Sequence, residues 1–240
     1  MFFQIHTFRI PNLFDVSQYV KNHYQVDSML AEKLVKIWLI GFCHNLCLFY
    51  ISQYHRYVSF HEEYQRQDEP VSPHVLAESD FVAAECEKLR GIKNRFEQDI
   101  GRGNPRWYLE QMRMGVPDEM PPSLEIELNA YWFNREIYRS PELVSELRRL
   151  PYKDYLNTPE WKRVRASLVM IRRAICQAEP CYNIGESFSG DWEAELHVHH
   201  LSYSNLGYER YADLALLCKR HHELWHKNAR EGNPNFKIFN

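Results

Sequence analysis

The chain has 240 residues, with 29 Lys and Arg against 32 Asp and Glu, a formal net charge of -3. That balance excludes a uniformly basic DNA coat, and 9 Gly exclude collagenous and Gly-rich disordered classes. A 45% hydrophobic fraction with 14% aromatics is enough to bury a core, so one large domain or two smaller ones are expected.

The N-terminus, Met1 to His6, lacks a basic region followed by an apolar run and a small-residue cleavage site, so a cytoplasmic, reducing location is expected. There the 6 cysteines are thiols or metal ligands before they are disulfides. Val26–Tyr57 reads as a long helix. Within it, Ile37–His55 runs 19 residues without a formal charge. His44, Asn45, Ser52, Gln53 and His55 interrupt it, whereas a span needs about 20 mostly apolar residues, so a buried helix and no membrane are expected. Cys43 and Cys47 flank His44 and read as small buried hydrophobes. Further helices are expected at Ser79–Asp99, Leu124–Tyr138 and Pro141–Leu150. Asp68–Pro73, Gly101–Pro105, Val116-Pro117 and Pro121-Pro122 punctuate them.

Near Leu150-Pro151 the character changes. Residues 1–147 carry 15 basic and 21 acidic side chains, against 14 and 11 in 148–240. Thr158-Pro159-Glu160 is a helix start, with Thr158 as cap, Pro159 preorganised for the first turn and Glu160 suited to the positive end of the dipole. The helix is expected to reach about Ile175. Residues 148–173 hold eight basic side chains against two acidic ones, which suits either a solvated face or a phosphate-binding surface. Lys162, Arg163, Arg165, Arg172, Arg173 and Arg220 are the candidates for DNA contact.

Six of the 12 His lie between His197 and His226. Cys218 and His221, three apart, match a zinc-knuckle spacing, and Cys176 with Cys181 could supply the other half of a tetrahedral site. His222 and His226 are four apart, which on a helix puts both imidazoles on one face. Leu196–Leu201 reads as a strand, on which His199 and His200 point to opposite faces. If His199 faces the His222/His226 pair, three ligands with open positions result and His200 is left free as a base. His197 takes a solvent-facing or supporting role, and Trp161 and Trp225 read as packing residues.

From Tyr155-Leu-Asn-Thr-Pro-Glu-Trp161 through Cys176, Cys181, Val198-His-His200, Tyr203, Leu206-Gly207, Glu209, Asp213-Leu214 and Leu217-Cys218-Lys-Arg-His-His222 to His226, the chain resembles the HNH (ββα-metal, His-Me finger) endonucleases. The resemblance covers about 72 residues, under a third of the chain. It implies His199, His222 and His226 as ligands of one catalytic divalent cation (Mg, Mn, Ni or Zn), and His200 as general base. Asp213 stands at the position of the family's middle Asn, which holds the loop between the two strands. Cys176, Cys181, Cys218 and His221 stand where the family holds a structural zinc. Here the first pair is spaced Cys-x4-Cys where Cys-x2-Cys is commoner, and His221 replaces the usual fourth Cys.

The implied fold class is α+β: a mostly helical region 1–147, an HNH domain at 148–232 and a tail at 233–240. The implied activity is metal-dependent hydrolysis of DNA, giving a 5′-phosphate and a 3′-hydroxyl. Residues 1–147 would select target DNA, recruit a protein partner or hold the nuclease inactive, as accessory regions of prokaryotic, phage or defence-associated nucleases do. Two other readings stay open: a noncatalytic zinc module that binds DNA or protein, and a nuclease of RNA or structured junctions.

Overall fold

The computed structural model describes residues 7–64, 73–100, 122–179, 181, 196–231 and 237–238. It divides the chain into two units, Met1–Leu128 and Asn129–Asn240. In the first, Asn12 starts α1 (Leu13–Tyr24), its side-chain oxygen accepting from the N–H groups of Phe14 and Asp15 that the first turn leaves orphaned. The long α2 (Ser28–Tyr64) packs against both α1 and α3 (Pro73–Asp99). Being covered on two sides, it is apolar around much of its circumference: Val35, Trp38, Leu39, Phe42, Leu46, Phe49 and Tyr50 are all buried. The stretch Ser28–His55 is long and apolar enough to cross a membrane, but 61% of its most apolar window is buried inside the fold. Lys36 on α2 reaches Glu32 at 2.7 Å and Asp99 at 3.1 Å, tying the end of α3 to α2. Cys43 is buried while His44 is exposed, so the two do not share a surroundings.

Helix α4 (Pro122–Glu136) runs across the division. It is followed by α5 (Pro141–Arg149), the short α6 (Tyr152–Tyr155) and α7 (Pro159–Ile171). Caps explain two of these starts: Ser140 accepts from Leu143 N–H at 3.3 Å, and Thr158 from Trp161 N–H at 3.2 Å, each with Pro in the first turn. Strand β1 (Ala178–Glu179) follows, then β2 (Leu196–His200). A single 3-10 turn (Tyr211–Asp213) leads into β3 (Leu214–Cys218), then α8 (Lys219–Glu231) and β4 (Lys237–Ile238). β2 and β3 form an antiparallel hairpin in which His199 faces Ala215 and His200 faces Leu214, and α8 packs on both strands. The architecture is thus mostly helical with a small two-stranded sheet carrying the histidines, an α+β chain.

The units divide after Leu128, and Arg139 is built into the second: it donates to Gly207 O at 2.5 Å and Glu160 O at 2.9 Å, and pairs with Glu209 at 3.1 Å. Helix α7 stops at Ile171, short of Ile175, because Arg173 (φ 55°) and Ala174 (φ 52°) turn left-handed and Ala174 N–H bonds back to Val169 O. Lys237 and Ile238, within the stretch expected as a tail, form β4, which pairs antiparallel with β1. Pro73 and Pro122 open helices in place of closing loops. The loops expected at 68–72, 101–105 and 116–117 lie outside the described residues.

Candidate metal centres and the buried histidine

Strand β3 ends at Cys218 and α8 begins at once, so one helical turn brings His221 back to the thiol: Cys218 Sγ lies 3.2 Å from His221 Nδ1. Cys176, just after the α7 turn, has its Sγ 3.5 Å from the same nitrogen. Cys181 completes the group, with one ligand atom from each of the four residues lying within 4.8 Å of the others. A tetrahedral ion with Zn–S about 2.3 Å and Zn–N about 2.0 Å spaces S and N about 3.5 Å apart, so the donor set fits zinc. Burial pushes the Cys176 thiol up to about 12, so a thiolate there requires a cation, whose binding would release protons. Between the two cysteines of the Cys-x4-Cys pair, Ala178 and Glu179 form β1, which pairs with β4.

A second group gathers on the other side of α8. His222 and His226, one turn apart, place their Nε2 atoms 3.3 Å from each other. His199, from the middle of the hairpin, joins them within 4.8 Å. His199 is 4% exposed, and its Nε2 is buried with no hydrogen-bond partner in the protein. Burial first, then the neighbouring His222 and His226, hold His199 down at about 3, and burial with His197 and His226 holds His222 at about 4. Neutral imidazoles with a bare buried nitrogen are the state a metal ligand needs, and three of them leave positions open for water or substrate. His197, two residues before His199 on the same strand face, is half-buried and stacks on His222 at 4.7 Å, making it a wall of this site rather than a solvent-facing residue.

His200 turns to the opposite face of the strand and has a fully buried side chain. Its ring lies between Trp161 (4.7 Å, 16° off parallel) and Tyr203 (5.1 Å, 20°). Its Nδ1 meets the Tyr152 hydroxyl at 3.3 Å, and its Nε2 meets Glu209 Oε1 at 3.4 Å. Glu209 also accepts from the Tyr155 hydroxyl at 2.5 Å and Gly207 N–H at 3.0 Å. Burial alone would raise its carboxyl, but the hydrogen bonds from His200, Tyr155 and backbone N–H groups prevail and hold it at about 2. One cavity of about 460 Å³ is lined by His199, His222 and His226 together with His200, Tyr152, Tyr203, Trp161 and Arg165.

Asp213 pins the loop between the strands: its Oδ2 accepts from Arg210 N–H at 2.7 Å and Asn205 Nδ2 at 2.9 Å, and its backbone oxygen from Leu201 N–H at 2.7 Å. Trp161 and Trp225 pack as expected, and what they pack against is the site: Trp161 stacks on His200 and Trp225 meets His199 edge-on at 5.3 Å. Glu209, one of the residues that carry the resemblance, has no role legible in the sequence because it sits outside the His/Cys spacing, and Tyr152 was not legible as a site residue at all, arriving through α6, a single turn without an apolar period.

Of the basic candidates, Arg172 is removed from any DNA surface. It is 7% exposed, donates to Tyr211 O at 3.2 Å and lies 4.2 Å from the centre of the Tyr211 ring. Arg163 is turned toward Glu136, and Arg165 donates to Leu196 O at 3.1 Å while lining the cavity. Lys162, Arg173 and Arg220 are exposed. No family model, curated protein or solved structure matches the chain.

Proposed function

We propose that the protein is a metal-dependent endonuclease of the HNH type, hydrolysing DNA phosphodiester bonds at the cavity shared by His199, His200, His222 and His226. The observation that carries this reading is the separation of roles within one dipeptide. His199 offers a bare nitrogen to a three-imidazole group, while His200 points to the other side of the strand with its own partners, yet both border the same cavity. A purely structural zinc module has no use for a second, imidazole-only ligand group with open positions.

His200 takes a proton from the water that attacks phosphorus. Asp213 keeps the loop after β2 in register, so His200 stays at the cavity edge. Arg165, at the cavity wall, and the exposed Lys162 and Arg220 offer positive charge to the backbone of the nucleic acid. A divalent cation held by His199, His222 and His226 supplies stabilisation of charge on the phosphoryl and departing 3′ oxygens. Zinc at Cys176, Cys181, Cys218 and His221 holds the turn after α7 against the start of α8. The residues up to 128 serve target choice, a protein partner or restraint of the nuclease, in a cytoplasmic setting where the thiols stay reduced.

The test is cleavage of supercoiled plasmid, single-stranded DNA and RNA with Mg²⁺, Mn²⁺, Ni²⁺ and Zn²⁺. Wild type is expected to cut DNA, and His200→Ala to lose about 10² to 10⁴-fold in rate with its metal content unchanged. No cleavage of any substrate by wild type, or full activity in His200→Ala, rejects the reading. One observation favours a variant of it: Tyr152 (43% exposed) and Tyr203 (53%) stand at the cavity with their rings 5.7 Å apart, a surface on which unpaired bases stack. Faster cleavage of single strands or junctions than of duplex would then be seen.

A further inference from the structure

Among the described residues, Glu209 gathers hydrogen bonds from four partners without being a metal ligand. Glu209 lies with its side chain 0% exposed, opposite an Arg139 that is 5% exposed. A buried ion pair of this kind is costly to assemble and is weak evidence for stability alone. Its two oxygens are used differently. Oε2 faces Arg139, whereas Oε1 collects the Tyr155 hydroxyl, the Gly207 N–H and His200 Nε2. The turn that delivers it is itself specialised: Gly207 adopts φ +83°, and a Cβ there would meet Leu147 Cβ at 3.3 Å.

The hydrogen-bond chemistry fixes where the proton of neutral His200 resides. An ionised carboxylate has only acceptors, so the ring nitrogen facing Glu209 must carry the hydrogen. Tyr152 presents a hydroxyl to Nδ1, and that nitrogen is the one that accepts. Trp161 and Tyr203 on the two ring faces hold the imidazole in its plane. We infer that Glu209 is the positioning residue of His200: held by Arg139, its carboxylate locks His200 in the Nε2–H form and so presents Nδ1, beside the Tyr152 hydroxyl, as the nitrogen that receives a proton.

Among the described residues Glu209 bonds His200, Tyr155, Arg139 and the Gly207 N–H and none of the three metal histidines, so of the groups at the cavity it acts on His200. The catalytic part of this inference rests on His200 acting as base; the tautomer does not. In the balanced step, Nδ1 takes one proton from water as the water oxygen bonds to phosphorus; the P–O3′ bond breaks with its electron pair on the 3′ oxygen, which takes a proton from solvent water to leave as the 3′-hydroxyl. The Nε2 proton stays in place between His200 and Glu209.

The experiment is long-range ¹H–¹⁵N correlation of the histidine rings in the full-length, metal-loaded protein at pH 8, with His200 assigned by the signals lost in His200→Ala. A diamagnetic ion, Zn²⁺, serves as the probe metal. The expected result is an Nε2–H ring with bare Nδ1 in wild type. In Glu209→Gln the amide must set a donor against Arg139 or against His200, so a mixture of forms or the Nδ1–H form is expected. Alongside it, kcat should fall between about 10-fold and 10⁴-fold with KM little changed, the range seen when partners of ligating or catalytic histidines are removed. Tyr155→Phe, which deletes one donor to Glu209 but leaves the carboxylate, should keep the wild-type tautomer. Glu209→Asp, which keeps the charge near Arg139 but withdraws it from His200 by one methylene, should show the same mixing as the amide and serves where Glu209→Gln does not fold. An Nδ1–H ring in wild type, or an unchanged tautomer in both Glu209 variants, overturns the inference. Absence of cleavage by wild type would defeat the nuclease reading and leave the tautomer result standing.

Discussion

At the scale of single residues, the histidines around the open site set a pH limit on the metal-free protein. His199 is held at about 3 and His222 at about 4 in the fold, against 6.5 for a free imidazole. From pH 6.5 downward the unfolded chain therefore binds protons that the folded one refuses, so stability is full above 6.5 and is lost as the pH falls toward 4 and 3. Melting of the chelated protein should drop from pH 7.5 to pH 5, and His199→Gln should flatten that dependence; an unchanged slope would contradict the assignment. Arg172 makes the opposite kind of prediction. Because it is buried against Tyr211, Arg172→Ala should cost about 1 to 3 kcal/mol in stability through lost packing and cation–π contact, as melting would report, while the DNA binding proposed above should be unaffected in a filter-binding assay. From the sequence Arg172 was indistinguishable from Arg173, since their neighbours in the chain are the same. Only the end of α7 at Ile171 decides that one turns inward and the other outward.

At the scale of elements, the hairpin and α8 were legible because period carries meaning there: two residues per strand repeat separates His199 from His200, and four residues on a helix align His222 with His226. The same rule failed for α6 and for the turn at Gly207, which are too short to have a period, and these deliver Tyr152 and Glu209. The cap of α7 was visible as Thr158-Pro159-Glu160. Thr158→Ala should lower stability by about 1 kcal/mol in a denaturant titration, because the Trp161 N–H loses its acceptor. The loss also bears on His200, since Trp161 is the ring stacked beneath it. At the candidate zinc group, Cys218→Ser should lower the bound zinc read by mass spectrometry by one equivalent, with partial unfolding of the second unit, because β3 and α8 meet at that residue.

At the scale of the whole molecule, charge counting placed a change of character near Leu147, whereas packing divides the chain after Leu128. Composition averages over a window and cannot register one arginine that crosses it. A fragment of residues 122–240 should fold and bind metal, whereas 148–240 should melt well below it, having left Glu209 buried without Arg139, a loss of about 3 to 5 kcal/mol. Equal melting temperatures for the two fragments would restore the boundary at 147. One helix also links the two ligand groups: His221 serves the thiolate set and His222, the next residue, the imidazole set. Ordering the first turn of α8 for one ion therefore prepays the ordering required by the other. The two loading equilibria should be coupled, with a factor that is the same read in either direction. A calorimetric titration into the apo protein should then show the second ion binding more tightly than it does to a Cys218→Ser chain, so that filling the thiolate group would set how readily the imidazole group, which shares no ligand with it, takes its own ion.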